Sequence, residues 1–298
     1  TPAADADAAA TEPLSPTSVR ESLGPEPSAD RVVEWRADTV GCTPIWDPKG
    51  FIHFNSAGAA LVTKRVLGTV TSHLELETVM GGYEAGDEVD EARAVYASIT
   101  RLLNAHGPHE IALAESARVG WSMAVYGIDF VAGDVILTTG VEYGANYVAF
   151  MQLRDTKGVV IAQLPHCADG TVDAGRVEEC LRSYGGKVKC VAVTHIPTNG
   201  GLMNPAAEIG AAVHRYNVST GVANDPNHRV LYVVDACQTV GQMPVDVQRM
   251  RCDVLSATSR KFLRGPRGVG FLYVREDVLG ALTPPTLDHY AAAWSSAE

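Results

Sequence analysis

The chain has 298 residues, 46% of them hydrophobic and 20% charged, with a formal net charge of −11. This is the composition of an ordinary soluble globular protein, long enough for one large core or two modest ones. The acidic balance argues against nucleic acid or an anionic membrane surface as the main partner, and no apolar run is long enough to span a bilayer.

Residues 1–30 are rich in Ala, Pro, Asp, Glu and Ser, with Leu14, Val19 and Leu23 the only large apolar side chains. Such a stretch buries too little surface to offset its ordering entropy, so a mobile tail is expected, with order beginning near Val32–Trp35. It has neither a basic n-region nor an apolar h-region, so no signal peptide is read, although a start at Thr1 leaves a removed targeting segment open. Cys42, Cys167, Cys180, Cys190, Cys237 and Cys252 form no C-x-x-C pair. In a chain of this length they read as reduced thiols in the cytoplasm, with neither a disulfide framework nor a metal site.

Val89, Ala92, Tyr96, Ile99 and Leu103 recur at three- and four-residue steps, the pattern of a helix with one buried stripe. Short β-branched runs follow: Ile111–Ala114, Val135–Thr138, Val159–Ala162, Val188–Thr194, Leu231–Asp235, Val254–Ser256 and Gly270–Val274. Amphipathic stretches such as Val172–Tyr184 and Ala206–Tyr216 read as intervening helices. Near-continuous apolar strands alternating with helices predict an α/β fold whose mostly parallel sheet is covered on both faces. Ligands of such sheets sit beyond the carboxyl ends of the strands.

The chemically informative residues fall there. Leu231-Tyr-Val-Val-Asp235 closes a buried strand on a carboxylate, which is costly unless a cation faces it. Lys261 follows the next strand within Thr258-Ser-Arg260-Lys261-Phe-Leu-Arg264-Gly-Pro-Arg267-Gly. A lysine set among cationic groups is a usable amine nucleophile. Taken singly, Asp235 reads equally as a turn cap and Lys261 as a solvated charge. No G-x-G-x-x-G follows a strand, so no dinucleotide site is read.

Together, Asp235-Ala-Cys-Gln238-Thr-Val-Gly241 and Thr258-Ser-Arg-Lys261 with Gly265-Pro-Arg-Gly resemble the D-x-A-Q-x-x-G and S-x-H-K…G-P-x-G motifs of fold type I pyridoxal-phosphate enzymes of class V. That family includes cysteine desulfurases, selenocysteine lyases, kynureninases and isopenicillin-epimerase-like proteins. The resemblance runs from about Phe51 to Val274. It implies the three-layer large domain over residues 31–280, with 281–298 starting a linker to a small C-terminal domain that the chain lacks or has truncated. It also implies pyridoxal 5'-phosphate held as a Schiff base on Lys261, an amino-acid substrate and a homodimer.

Residue by residue, Asp235 would face the pyridine nitrogen and Tyr143, in Glu142-Tyr143-Gly-Ala-Asn146, would stack on the ring where the family has His. Ser116, Ala117 and Arg118 match the turn that holds the phosphate, an anion site at a helix N-terminus; Ser116 also reads as a plain N-cap. Thr258 and Arg260 fit phosphate contacts. Thr198 and Gln238 fit contacts to the phenolic oxygen, and Asn55, Ala57 and Gly58 a substrate-lining segment. Arg267 is a candidate anion contact, and His195 reads equally as a site residue or a satisfied strand-end histidine. The stretches Glu77-Thr-Val-Met-Gly81-Gly82-Tyr83, Glu142–Asn146 and Ser259–Gly270 further resemble ergothioneine-pathway carbon–sulfur lyases. A carbon–sulfur or carbon–selenium lyase or an aminotransferase is therefore expected. A desulfurase, an epimerase and a non-catalytic relative are the alternatives, and no cysteine matches the desulfurase nucleophile position.

Overall fold

The computed structural model describes residues 27–43, 52–88 and 94–286. Helix α1 (Ala29–Asp38) starts where Ser28 accepts a hydrogen bond from the Arg31 N–H, with Asp30 in the first turn. A capping side chain and an acidic first turn are start signals that an apolar count overlooks. Residues 29 and 30 are therefore helical, not part of a tail, while 1–26 lie outside the described residues. Helix α2 (Lys64–Met80) is capped by Thr63 and turns into the short α3 (Gly82–Asp87) at Gly81, which has a φ of 96°. Helix α4 (Ala94–Leu103) buries Ile99 and Leu103 as the stripe predicts; Val89 and Ala92 lie outside the described residues.

Seven strands form one sheet in the order β1-β7-β6-β5-β4-β2-β3. They are β1 (Ile111–Ala114), β2 (Val135–Thr138), β3 (Val160–Gln163), β4 (Val188–Thr194), β5 (Leu231–Asp235), β6 (Val254–Thr258) and β7 (Gly270–Val274). The pairs β2·β3, β2·β4, β4·β5 and β5·β6 are parallel, whereas β7 is antiparallel to both β6 and β1. Six strands thus point the same way, and their carboxyl ends share one edge. Between them run α5 (Ala117–Tyr126), α6 (Gly144–Lys157), α7 (Val177–Ser183), α8 (Ala206–Ser219) and the one-turn α9 (Val247–Met250). The helix expected from Val172 begins only at Val177. Val172 pairs in a β-bridge with His166, and a 3₁₀ turn fills Ala174–Arg176.

The alternation along each strand builds two cores. Val135, Leu137, Val191, Val193, Tyr232 and Val234 pack with Ile209 and Val213 of α8 and Leu181 of α7 on one face. Ile136, Cys190, Ala192, Leu231 and Val233 pack with Trp121 of α5 and Phe150 of α6 on the other. This period-two division is the three-layer architecture, and it explains why the strands read as apolar throughout. The segment expected to start a linker is tied back in at Thr283, whose N–H donates to the Gly127 carbonyl at 2.9 Å.

Gly270 fixes the edge on which chemistry can occur. It opens β7 opposite Ala114 of β1 and Thr258 of β6, and a Cβ there would lie 2.2 Å from the Ala117 nitrogen and 2.3 Å from the Ser116 carbonyl carbon. Backbone cannot yield as a side chain does, so the Ser116–Ala117 turn rests directly on the glycine. Gly270→Ala is expected to destabilise the protein by about 1–3 kcal/mol through overpacking. Gly68→Ala, in open space on α2, should stabilise by up to about 1 kcal/mol through helix propensity. Chemical denaturation of the two variants checks both signs.

Candidate functional site

A single cavity lies over the carboxyl ends of β1, β4, β5 and β6, and its wall brings together most of the sequence-predicted residues. One end is cationic. Ser116 caps α5, its hydroxyl accepting from the Val119 N–H at 3.2 Å, so the first-turn amides open toward the cavity beside Ala117, Arg118 and Arg260. Unpaired first-turn N–H groups and two guanidinium groups suit a phosphate-sized anion. Ser116 is thus both a cap and a cavity residue. Thr258 is buried away from the wall: its hydroxyl accepts from Arg260 at 3.1 Å and donates to the Val269 carbonyl at 3.3 Å.

The middle of the cavity holds Lys261 and Tyr143. Lys261 is 7% exposed, and its Nζ stands 6.0 Å from the centroid of the Tyr143 ring. Its loop folds against Gly241, whose φ is 87° and whose missing Cβ leaves room for the Phe262–Leu263 peptide at 2.8 Å. Tyr143 precedes α6, with its N–H donating to Glu142 Oε1 at 2.9 Å and to Thr194 Oγ1 at 3.2 Å.

The far end is anionic. Asp235, 4% exposed, closes β5. Its Oδ1 accepts the Cys237 N–H at 2.9 Å, the turn-cap contact, and its Oδ2 accepts from the Asn146 side-chain amide at 2.8 Å. Among the described residues no Lys or Arg forms an ion pair with Asp235, unlike the buried Asp253, which Arg229 and Arg275 contact. Gln238 donates from Nε2 to Thr198 Oγ1 and to the Ala57 carbonyl, each at 3.0 Å, while its Oε1 is buried without a partner.

The segment carrying Asn55, Ala57 and Gly58 is docked on this frame. Asn55 Oδ1 accepts from the Gly58 N–H, and the Ala60 N–H donates to the Arg260 carbonyl at 2.8 Å. These three residues are not on the cavity wall. Nor is Arg267, which stands exposed on the loop after Lys261. Arg264, half-buried, donates to the Leu61 carbonyl and to Thr39 Oγ1, tying the N-terminal segment to the Lys261 loop. Asn146, Thr194 and Cys237 line the cavity and were missed by the sequence reading. Their one signal is position, each lying directly beyond or at the end of a strand or in the first turn of a helix.

His195 follows β4 but lines a separate cleft with Met203, Asn204 and Met243. Its Nδ1 is buried with no partner, and burial pushes its pKa down from 6.5 to about 4. The native state therefore binds fewer protons than the unfolded chain between these values. The stabilisation is complete above pH 6.5 and is lost as pH falls through about 4. Between pH 7 and 4, the wild type should lose up to about 3 kcal/mol more stability than His195→Gln. Equal pH slopes in urea titrations of the two proteins would refute the buried neutral imidazole.

Comparison with known proteins gives a consistent set. The family model described as Aminotransferase class-V matches residues 52–288. A probable cysteine desulfurase of Synechocystis sp. is 30% identical over 198 residues, covering 65% of this chain and 43% of that protein. A cysteine desulfurase of Cronobacter sakazakii is 28% identical over 228 residues, covering 72% of this chain and 52% of its own. A solved complex of a cystine C–S lyase with its product cysteine persulfide shares the fold, with a TM-score of 0.72 at 24% identity over 82% of this chain and 62% of that one. The apo cysteine desulfurase of Thermococcus onnurineus NA1 gives 0.67 at 22% identity, over 88% and 61%. The chain spans about half the length of the curated relatives it matches.

Proposed function

From the premise that the chain belongs to the class-V aminotransferase family, we propose that it binds pyridoxal 5'-phosphate at Lys261 and acts on a sulfur-bearing amino acid as a carbon–sulfur lyase. One observation carries this reading. A single cavity holds an amine, an aromatic face, a buried carboxylate without a cationic partner among the described residues, and a cationic helix N-terminus. The residues fit the cofactor. Ser116, Arg118 and Arg260 would hold its phosphate and Tyr143 its ring face, while Asp235 would hold the ring nitrogen as a cation. The Thr198 hydroxyl, whose oxygen already accepts from Gln238, has its own proton free for the phenolic oxygen.

When bound, the cofactor supplies an electron sink for negative charge at the substrate's α-carbon. Asp235 keeps the sink positive by holding a proton at the ring nitrogen. Lys261 Nζ would supply the amine that holds the cofactor and the general base that takes and returns the α-proton. The Tyr143 ring would cover one face of the cofactor ring and keep water from it.

Among the described residues Cys237 is the one cysteine on the cavity wall. A desulfurase route within these residues would need its thiolate as nucleophile. Burial and the neighbouring Asp235 charge push that thiol well above its ordinary pKa, which keeps it protonated. Elimination needs no such thiolate. The names of the relatives, cysteine desulfurase and cystine C–S lyase, support a sulfur substrate.

The free state of all six cysteines supports a reducing compartment, the cytoplasm. No helix among the described residues is long and apolar enough to cross a membrane. A homodimer is supported by α2, which buries none of its residues and exposes Leu67, Leu74 and Val79.

Protein mixed with pyridoxal 5'-phosphate should gain a visible absorption band, and borohydride should fix the pyridoxyl group on Lys261. Lys261→Ala should abolish both, and a wild type that stays colourless would sink the reading. With cystine or cysteine conjugates, pyruvate and a sulfur species are the expected products. Amino-group transfer to an oxo acid would make the protein an aminotransferase instead, and bound cofactor without spectral response to any substrate would make it a non-catalytic binder. Cys237→Ser should keep lyase turnover within about twofold, since the thiol is not ionised. Persulfide found on Cys237 during turnover would restore the desulfurase alternative.

A further inference from the structure

Resting on that reading, we propose that Glu142 and Asn146 are positioning residues for Asp235: a carboxylate–amide–carboxylate chain locks the Asp235 side chain and sets a second negative charge behind it. The Asn146 side-chain nitrogen donates one hydrogen to Glu142 Oε1 at 2.9 Å and the other to Asp235 Oδ2 at 2.8 Å. With both neighbours ionised each can only accept, and that turns the amide nitrogen toward them. With Cys237 N–H on Oδ1, Asp235 is gripped from both oxygens. Its remaining lone pairs face the cavity it lines.

Glu142 is built to stay in place. Its Oε1 accepts from the Tyr143 N–H and from Asn146, each at 2.9 Å, and from the Thr194 hydroxyl; its Oε2 accepts from the Thr194 N–H at 2.9 Å and from the Thr138 hydroxyl at 3.3 Å. These donors come from β2, β4 and the start of α6, so the carboxylate joins three elements behind the cavity-lining Asn146 and Thr194. The titratable groups facing it are Asp235 of β5 and Cys190 of β4. No arginine or lysine pairs with Glu142 among the described residues. Burial, reinforced by the Asp235 charge, pushes its pKa up to about 7 against the hydrogen bonds that favour ionisation. A buried Asp235 and a half-buried Glu142 joined through one amide are costly without a cation. A protonated ring nitrogen at Asp235 would relieve both through the same chain.

A purely structural role for Asn146 predicts loss of fold stability and nothing specific to the cofactor. Three full-chain variants separate the two: Glu142→Gln, Asn146→Ala and Asp235→Asn, alone and combined, titrated with pyridoxal 5'-phosphate by absorbance. Glu142→Gln should weaken cofactor binding about tenfold, the size expected of one unit charge at an effective dielectric of about 20. The ¹⁵N signal of ring-labelled cofactor should move toward the unprotonated value. In the Asp235→Asn background the same substitution should change affinity less than about twofold, because no carboxylate is left to hold the ring proton that the Glu142 charge favours. The apo melting temperature of Glu142→Gln should fall, because its amide nitrogen faces groups that also donate, so the ring signal and the double-mutant cycle, which lost stability alone does not move, carry the test. Should Asn146→Ala fail to fold, the Asp235→Asn background carries the same cycle. Unchanged affinity and ring signal in Glu142→Gln, with wild type binding normally, overturns this inference alone. So does an effect that persists undiminished beside Asp235→Asn. A wild type that binds no cofactor overturns the underlying reading as well.

Discussion

The whole arrangement turns on how the sheet treats its buried carboxylates. Asp253, just before β6 at the amino end, accepts from the Tyr232 N–H at 2.7 Å and is contacted by Arg229 and Arg275, with Asp277 closing the network. Its charge is answered inside the protein. Asp235 and Glu142, at the carboxyl end, are held by amide and hydroxyl donors. A buried anion solvated by neutral dipoles is tolerable; one answered by a full opposite charge is far better off. Asp253 is therefore answered within the fold, while Asp235 lines a cavity that a cation would complete.

Topology makes that difference usable. Because β7 alone runs against the rest, the ends of β1, β4, β5 and β6 deliver Ser116, Thr194, Asp235 and Lys261 to one edge. Close approach does the remainder. Gly270 lets the α5 N-terminus sit on the sheet and Gly241 lets the Lys261 loop fold back, so Ser116, Arg260, Lys261 and Asp235 line one cavity. Arg264 then anchors the segment before α2 to that same loop.

Much of this is legible in the sequence because the relevant signals are local. Five strand spans, from Ile111–Ala114 to Gly270–Val274, coincide at both ends with the runs of apolar residues that announce them. Asp235, Ser116 and Lys261 are legible because each stands directly beyond such a run. The direction of β7 is not, since a strand buried on both faces carries the same apolar pattern whichever way it runs. The helix expected from Val172 is cut short because residues 172–176 are held by a bridge and a 3₁₀ turn, which periodicity does not register. His195 reads as either site residue or packing residue, and only the burial of its ring beside a different cleft separates the two.

Asn146 marks the deeper limit. Four residues from Glu142 on one helical turn, it looks like an ordinary first-turn polar residue, and its decisive partner is 89 positions away. Nothing in composition or periodicity distinguishes an asparagine that caps from one that couples two carboxylates. Yet a group so placed has few substitutes. Aspartate would add a third charge, glutamine would overreach, and a hydroxyl has one hydrogen to give where two are needed. The constraint is therefore visible only after folding, and it acts on the two residues that sequence reading already singles out, Asp235 as a site and Glu142-Tyr143 as a motif. What reads along the chain as three separate features is, in space, one electrostatic unit.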